Sequence, residues 1–313
     1  SPDIMISHKN EVEGAWDPDI EFGGGRFLVA WEERVGPQRI DLPGFPDWER
    51  TKYSCIHGRT YNRDGGDPQP DPMTDTDIDI SPGPPDQSYH AEDPAIAYGG
   101  GKFFVAWEQN PANPLNPPSR YQWDIYGSTV STSGSVNQIS SPICDANNLQ
   151  ADPSVAFGSS KFLVCWEDAR LGTGNYDVWG RFYSSSGSPS GSEFRITSSS
   201  SCEAEPWVAY GDGFFYVIYE KGDSPENGPY GLELKKISTS GSTVWTKTVA
   251  SGSSSTDYIY PSCTYNENTD ELLVAFNDAD LSSGKRRGNV WGNFYKPDGS
   301  KVYSSNFKIK SGS

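Results

Sequence analysis

The chain has 313 residues, 42 acidic against 25 basic side chains, and a formal charge of −17. Nucleic acid and anionic membranes are held through Lys and Arg, so this balance excludes both as partners, and no apolar run approaches the ~18 residues of a membrane span. Gly (33), Pro (24), Trp (10), Tyr (17) and Phe (14) together describe a turn-rich, aromatic-rich β protein of the kind found outside cells.

The first segment, Asp3-Ile-Met-Ile-Ser7, reads as a strand without a partner of its own. Residues 1–8 are expected to close the last blade or to pair with an edge on another molecule, linking copies into a homo-oligomer or filament. Ser1 opens inside strand-like sequence, which is read as a mature or excised piece of something longer. There follows a phrase that occurs five times. It begins Asp17-Pro18 and ends Trp31-Glu32, then runs Asp93-Pro94 to Trp107-Glu108 and Asp152-Pro153 to Trp166-Glu167. Looser copies run Glu205-Pro206 to Tyr219-Glu220 and Tyr260-Pro261 to Phe276-Asn277. The prolines recur at spacings of 76, 59, 53 and 55 residues.

Each phrase holds two strands, a and b, joined by a Gly-rich hairpin turn such as Gly99-Gly100-Gly101. Strand b is apolar at every position, as in Phe103-Phe104-Val105-Ala106-Trp107, which requires cover on both faces. A third strand ends in a Gly turn, as in Trp123 to Gly134 and Tyr176 to Gly187, and carries an internal Gly at 58, 127, 180 and 292, but Leu234 in the fourth copy. A short fourth strand such as Asp77-Ile78-Asp79-Ile80 alternates, so one of its faces is wet. Self-similarity at about 50 residues, built only of strands, predicts an all-β, five-bladed β-propeller with four antiparallel strands per blade. The blades fall at about 10–81, 90–140, 149–197, 202–250 and 257–310 of one domain.

The five cysteines match no zinc or redox spacing. Cys144 and Cys202 occupy equivalent loops in consecutive repeats and are expected to form a disulfide; Cys165 and Cys263 replace small core residues of other copies. No Asn-x-Ser/Thr acceptor occurs. The chain also lacks Gly-x-Ser-x-Gly, His-Glu-x-x-His and phosphate-loop motifs, which argues against nucleophilic serine or cysteine catalysis and against zinc chemistry.

Carboxylates remain. Asp17, Asp93, Asp152 and Glu205 each precede the Pro that opens an innermost strand. In a propeller such positions gather at one mouth, where like charges need partners. They read as turn scaffold, as a site for a cation or polar ligand, or as catalytic groups. Asp75, Asp77 and Asp79 share one strand face and offer hard oxygen ligands for Ca2+, although no EF-hand loop is present. Two Pro-rich inserts, 38–52 with Trp48 and 110–122 with Tyr121 beside Trp123, offer aromatic rings for stacking on sugars.

The phrase Asp152-Pro153-Ser154-Val155-Ala156-Phe157 through Trp166-Glu167, with Tyr176-Asp177-Val178-Trp179-Gly180, resembles the repeats of large secreted bacterial and archaeal surface proteins, which implies a propeller without assigned chemistry. The Asp-Pro phrase before an aromatic strand also resembles the five-bladed glycoside hydrolases of the arabinanase and β-xylosidase type. That likeness implies Asp17 as catalytic base, Glu205 as acid, and Asp152 or Asp93 as the carboxylate that tunes the acid. Here Glu205-Pro206 is shorter than the Glu-Gly-Pro spacing usual for that acid. The reading as a whole is an extracellular or cell-surface, non-catalytic propeller that binds a glycan or protein or assembles with itself. The alternative is a glycoside hydrolase of arabinan- or xylan-type polysaccharide.

Overall fold

The computed structural model is all-β and describes residues 12–35, 53–62, 77–81, 89–111, 122–224, 230–280 and 288–312. The strand expected within 1–8, both inserts with Trp48 and Tyr121, and Asp75 lie outside these residues. The chain divides into two compact units, residues 1–145 and 146–313.

The first unit holds two four-stranded antiparallel sheets. One is β1 (Val12–Gly23), β2 (Arg26–Val35), β3 (Tyr53–Asn62) and β4 (Ile78–Asp79); the other is β5 (Tyr89–Gly99), β6 (Lys102–Pro111), β7 (Asp124–Ser131) and β8 (Val136–Gln138). The second unit holds three. They are β9 (Gln150–Gly158) to β12 (Phe194–Arg195), through β10 (Lys161–Asp168) and β11 (Asp177–Ser184); then β13 (Cys202–Gly211), β14 (Phe214–Gly222), β15 (Gly231–Ile237) and β16 (Thr243–Ala250); then β17 (Thr256–Asn266), β18 (Glu271–Asp280), β19 (Val290–Tyr295) and β20 (Phe307–Lys310). In every sheet the strands lie side by side in chain order, as a meander.

Local chemistry sets these sheets. In four of the five blades the a–b turn is a two-residue hairpin with both residues at positive φ: Gly24-Gly25 (58°, 79°), Gly100-Gly101 (58°, 83°), Ser159-Ser160 (49°, 64°) and Asp212-Gly213 (50°, 77°); the fifth turns through residues 267–270. That geometry matches the right-handed twist of the strands. Each c–d turn is closed by a glycine at φ 79–88°, namely Gly134, Gly187, Gly241 and Gly299. Strand b is covered on both faces, with Phe103 to Trp107 all inaccessible to solvent.

Neighbouring sheets within a unit interlock through their glycines. A Cβ built on Gly23 would meet the Tyr98 ring at 1.9 Å; on Gly158 it would meet Tyr210 at 2.0 Å, and on Gly211, Tyr265 at 2.0 Å. The aromatic-Gly pair that ends each of these strands is thus a knob and a hole, the ring of one blade seated on the bare backbone of the blade before it. The internal glycines of the c strands work the same way. Gly58, Gly127, Gly180 and Gly292 admit Ile80, Ile143, Ile196 and Ile309 respectively. In the fourth blade Leu234 itself fills that space and is fully buried beside Val249 and Leu272.

All five cysteines are buried thiols and no disulfide is formed. The bridge expected between Cys144 and Cys202 is therefore corrected. Cys144 is drawn along β7 by a bridge to Ile125, and Cys202 is the first residue of β13, paired with Gly222. Equivalent loop positions in a repeat do not by themselves bring two Cα atoms within disulfide reach.

The interlock is tested by Gly158→Ala against Gly213→Ala. Residue 213 has φ +77° and nothing within 4 Å of a new Cβ, so only backbone strain of about 1 kcal/mol is expected. At 158 the new methyl also displaces the Tyr210 ring, and a loss of about 2–3 kcal/mol is expected in urea unfolding. Equal losses at the two sites would overturn the knob-and-hole account.

Candidate functional site: a carboxylate cluster at the inner-strand bulges

Every innermost strand breaks its register at the repeated proline. Trp16 pairs with Glu32 but Asp19 with Ala30; Ala151 pairs with Glu167 but Ser154 with Cys165; Ala204 pairs with Glu220 but Trp207 with Ile218. One extra residue is held there, a β-bulge, and Pro suits it because it has no N–H to offer the ladder. The residue before Pro takes a left-handed conformation in all five blades: Asp17 (43°), Asp93 (50°), Asp152 (49°), Glu205 (49°) and Tyr260 (52°). Asp and Asn tolerate this region better than most residues, and the cost of about 1 kcal/mol must be held by surrounding contacts.

The contact that holds it is visible twice in the second unit. The bulge turns its N–H out of its own sheet and toward the preceding blade. Glu205 N–H donates to Glu167 Oε2 at 3.3 Å, and Tyr260 N–H donates to Glu220 Oε1 at 2.8 Å. Both acceptors close the repeated phrase, one residue after the core aromatic, and both are almost wholly buried. A second tie follows two residues later. Ser154 Oγ accepts Val208 N–H at 3.0 Å, and the Trp207 indole donates to Cys263 O at 3.1 Å. In the first unit Asp19 Oδ2 accepts Ile96 N–H at 2.7 Å.

These bonds concentrate carboxyl groups. Burial pushes the Glu167 carboxyl well above its usual range; the Asp152 charge and a hydrogen bond to Asp152 push the same way, and Glu205 N–H only partly offsets them. Two carboxyls in contact oppose each other's ionisation, and burial makes Glu167 hold a proton more readily than a free glutamate. Glu220 is raised to about 7, chiefly by burial and further by Asp257, against the Tyr260 N–H. Burial pushes the Cys202 thiol up to about 12, helped by the charges of Glu167, Glu203 and Glu220. Beside this cluster stand two exposed rings, Trp207 (43%) and Tyr260 (54%).

Among the residues expected from sequence, Asp152 and Glu205 are brought together, both bonded to Glu167. Asp17 and Asp93 occupy the same bulge in the first unit, exposed and half-buried respectively. Trp123 is half-buried just ahead of β7. Asp77 is turned inward onto Arg59 at 2.5 Å, and Asp79 lies 3.3 Å from His57 Nδ1. The sequence reading passed over Glu167 and Glu220, although an acidic residue follows the core aromatic in four of five copies.

No protein-family model matches the chain, and no curated protein matches it in sequence. Solved structures do. The α-L-arabinanase of Penicillium chrysogenum, in complex with arabinobiose, superposes with a TM-score of 0.56 at 14% identity, over 95% of this chain and 81% of that one. A thermostable family-43 glycoside hydrolase gives 0.52 at 11% identity, over 98% of both chains. The Trypanosoma rangeli sialidase gives 0.56 at 10% identity, over 98% of this chain but 51% of that one. The fold is a five-bladed β-propeller with four antiparallel strands per blade, as expected. The expectation of a non-catalytic surface propeller is corrected: an arabinanase and a family-43 glycoside hydrolase share the fold along nearly the whole chain, in line with the arabinanase-type resemblance.

Glu220 predicts a pH dependence. Its folded value near 7 lies above the usual 4.5, so the fold prefers the protonated carboxyl. That contribution is complete below about pH 4.5 and is lost as pH rises through about 7. Glu220→Gln keeps an oxygen for Tyr260 N–H and cannot ionise. Thermal unfolding should find the variant more stable than wild type near pH 8, by on the order of 3 kcal/mol, and equal to it near pH 4. A difference independent of pH would refute the assignment.

Proposed function

We propose that the chain is a secreted glycoside hydrolase acting on arabinan- or xylan-type polysaccharide. The observation that carries this reading is the Asp152–Glu167–Glu205 group, where the buried Glu167 carboxyl, its proton affinity raised, bonds the Asp152 carboxyl and the Glu205 backbone N–H, with the exposed Trp207 ring two residues beyond Glu205. Glycoside hydrolysis requires neighbouring carboxyl groups of different protonation state, and sugar rings stack on aromatic faces. The likeness to an arabinanase and a family-43 glycoside hydrolase supports the same substrate class.

In this reading Glu205 gives its proton to the glycosidic oxygen as the bond to the anomeric carbon breaks. A water molecule supplies the new hydroxyl at that carbon and yields its proton to a second carboxylate, which acts as base. Asp152 is the tuning carboxylate, held in place by Glu167. The bulge contributes by fixing the backbone at Glu205: φ is 49° and its N–H is taken, so the side chain leaves the strand in one direction. Trp207 and Tyr260 provide the walls on which the sugar rests.

The test is release of reducing sugar from arabinan and xylan oligosaccharides. Wild type should hydrolyse at least one of them, Glu205→Gln should lose 10²–10⁴-fold in kcat, and Trp207→Ala should raise KM more than it lowers kcat. A wild type inert on the whole panel, or a Glu205→Gln enzyme as fast as wild type, would overturn the proposal.

A further inference from the structure

The sheet face behind the core aromatics carries a second group of metal-ligating side chains, confined to the first blade. Cross-strand register places Trp31 opposite His57, His57 opposite Asp79, and Glu33 opposite Cys55, so these residues share one face of β2, β3 and β4. One ligand atom each from Glu33, His57 and Asp77 lie within 4.8 Å of one another. Cys55 Sγ is 3.1 Å from His57 Nε2, and Asp79 Oδ1 is 3.3 Å from the other ring nitrogen. Glu33 and His57 are 1% and 5% exposed, and the Asp77 side chain 4%.

The third blade shows what this face looks like when it is only structural. There Asp168 holds Arg170 through paired bonds of 2.9 and 2.6 Å, and Asp177 holds Arg195 at 2.7 Å. Trp179 completes the set, under the Arg170 guanidinium. By register, Asp168, Asp177, Trp179 and Arg195 correspond to Glu33, Cys55, His57 and Asp79. A packing ring has become an imidazole, a carboxylate a thiol, and a guanidinium a carboxylate. One cation, Arg59, remains, paired with Asp77 at 2.5 Å. The exchange removes positive charge and adds two borderline-soft donors at the same place.

We propose that Glu33, Cys55, His57 and Asp77 form a site for a divalent transition cation of the Zn2+ class. Ligands of such an ion stand about 2.0–2.3 Å from it and hence about 3.3–3.8 Å apart. The Cys55–His57 spacing is already close to this, and Glu33, His57 and Asp77, whose ligand atoms lie within 4.8 Å of one another, need to close by about an ångström. Thiol and imidazole argue against calcium, which takes oxygen ligands. Asp79, on the His57 nitrogen that faces away from Cys55, is a positioning residue that orients the ring. The bound ion would join β2, β3 and the two-residue β4, which has few backbone bonds of its own.

The experiment is titration of chelator-treated full-length chain with Co2+ and with Zn2+, followed by visible absorption, calorimetry and melting temperature. One equivalent should bind and raise the melting temperature, with a thiolate-to-cobalt band in the near ultraviolet. Cys55→Ser should lose that band while keeping the visible d–d bands. His57→Gln should abolish tight binding, and Asp79→Asn should weaken it roughly 10–100-fold. Wild-type protein that gives no cobalt spectrum and no heat with either ion, or that responds only to Ca2+, would overturn the proposal. The titration reads binding alone, so its result is independent of whether the chain hydrolyses polysaccharide.

Discussion

The bulge before each proline is the constraint from which the rest of the inner surface follows. An X-Pro step inserted into a central ladder leaves one N–H directed out of its sheet, and a buried N–H without an acceptor costs about as much as a lost hydrogen bond. The preceding blade supplies that acceptor as the carboxyl one residue beyond its core aromatic, seen at Glu167 for Glu205 and at Glu220 for Tyr260. Proline, left-handed residue, core aromatic and terminal Glu are therefore one device spread over two sheets. None of the four has its purpose within a single repeat.

This device has an electrostatic consequence. A carboxyl buried to accept a backbone N–H sits close to the acidic bulge residue of its own blade, as Glu167 does to Asp152. Two carboxyls in contact oppose each other's ionisation, which raises the proton affinity of the buried one. A scaffold bond thus yields the ingredient that acid–base chemistry on a glycosidic bond requires, without a residue set aside for the purpose. Scaffold and catalysis, which are rival readings of Asp-Pro in the sequence, are compatible in the structure.

Most of the architecture was legible in the sequence because its causes are local and repeated. Hairpin glycines, doubly apolar b strands and the recurring proline each point to a strand boundary, and each boundary is found near where the pattern places it. The site was legible only in part. Asp152 and Glu205 stand out by position, but Glu167 and Glu220 read as ordinary strand-end charges, since their partners lie in the following blade. The glycines that end the inner strands look like turn residues; their reason is a tyrosine ring some 50–75 positions further on. The Cys144–Cys202 expectation failed for a related cause, because repeat equivalence fixes a place in the blade and says nothing of the distance across to the next one.

The two kinds of position also differ in how freely they can vary. At the bulge, any change must preserve an N–H acceptor and a left-handed backbone, and four of five blades keep an acidic residue there. On the face behind the core aromatic nothing outside the blade is being satisfied, and the same place holds Glu33, Gln109, Asp168, Lys221 and Asp278 in turn. Each is satisfied locally: Glu33, Gln109 and Asp168 accept from the core indole of their own blade, Asp168 also holds Arg170, Lys221 pairs with Glu233, and Asp278 accepts from Asn289 and Trp291. A position free to change partners is one where a blade can acquire chemistry of its own at no cost to the stacking. The thiol, imidazole and carboxylates gathered around Glu33 are what that freedom produces in the first blade.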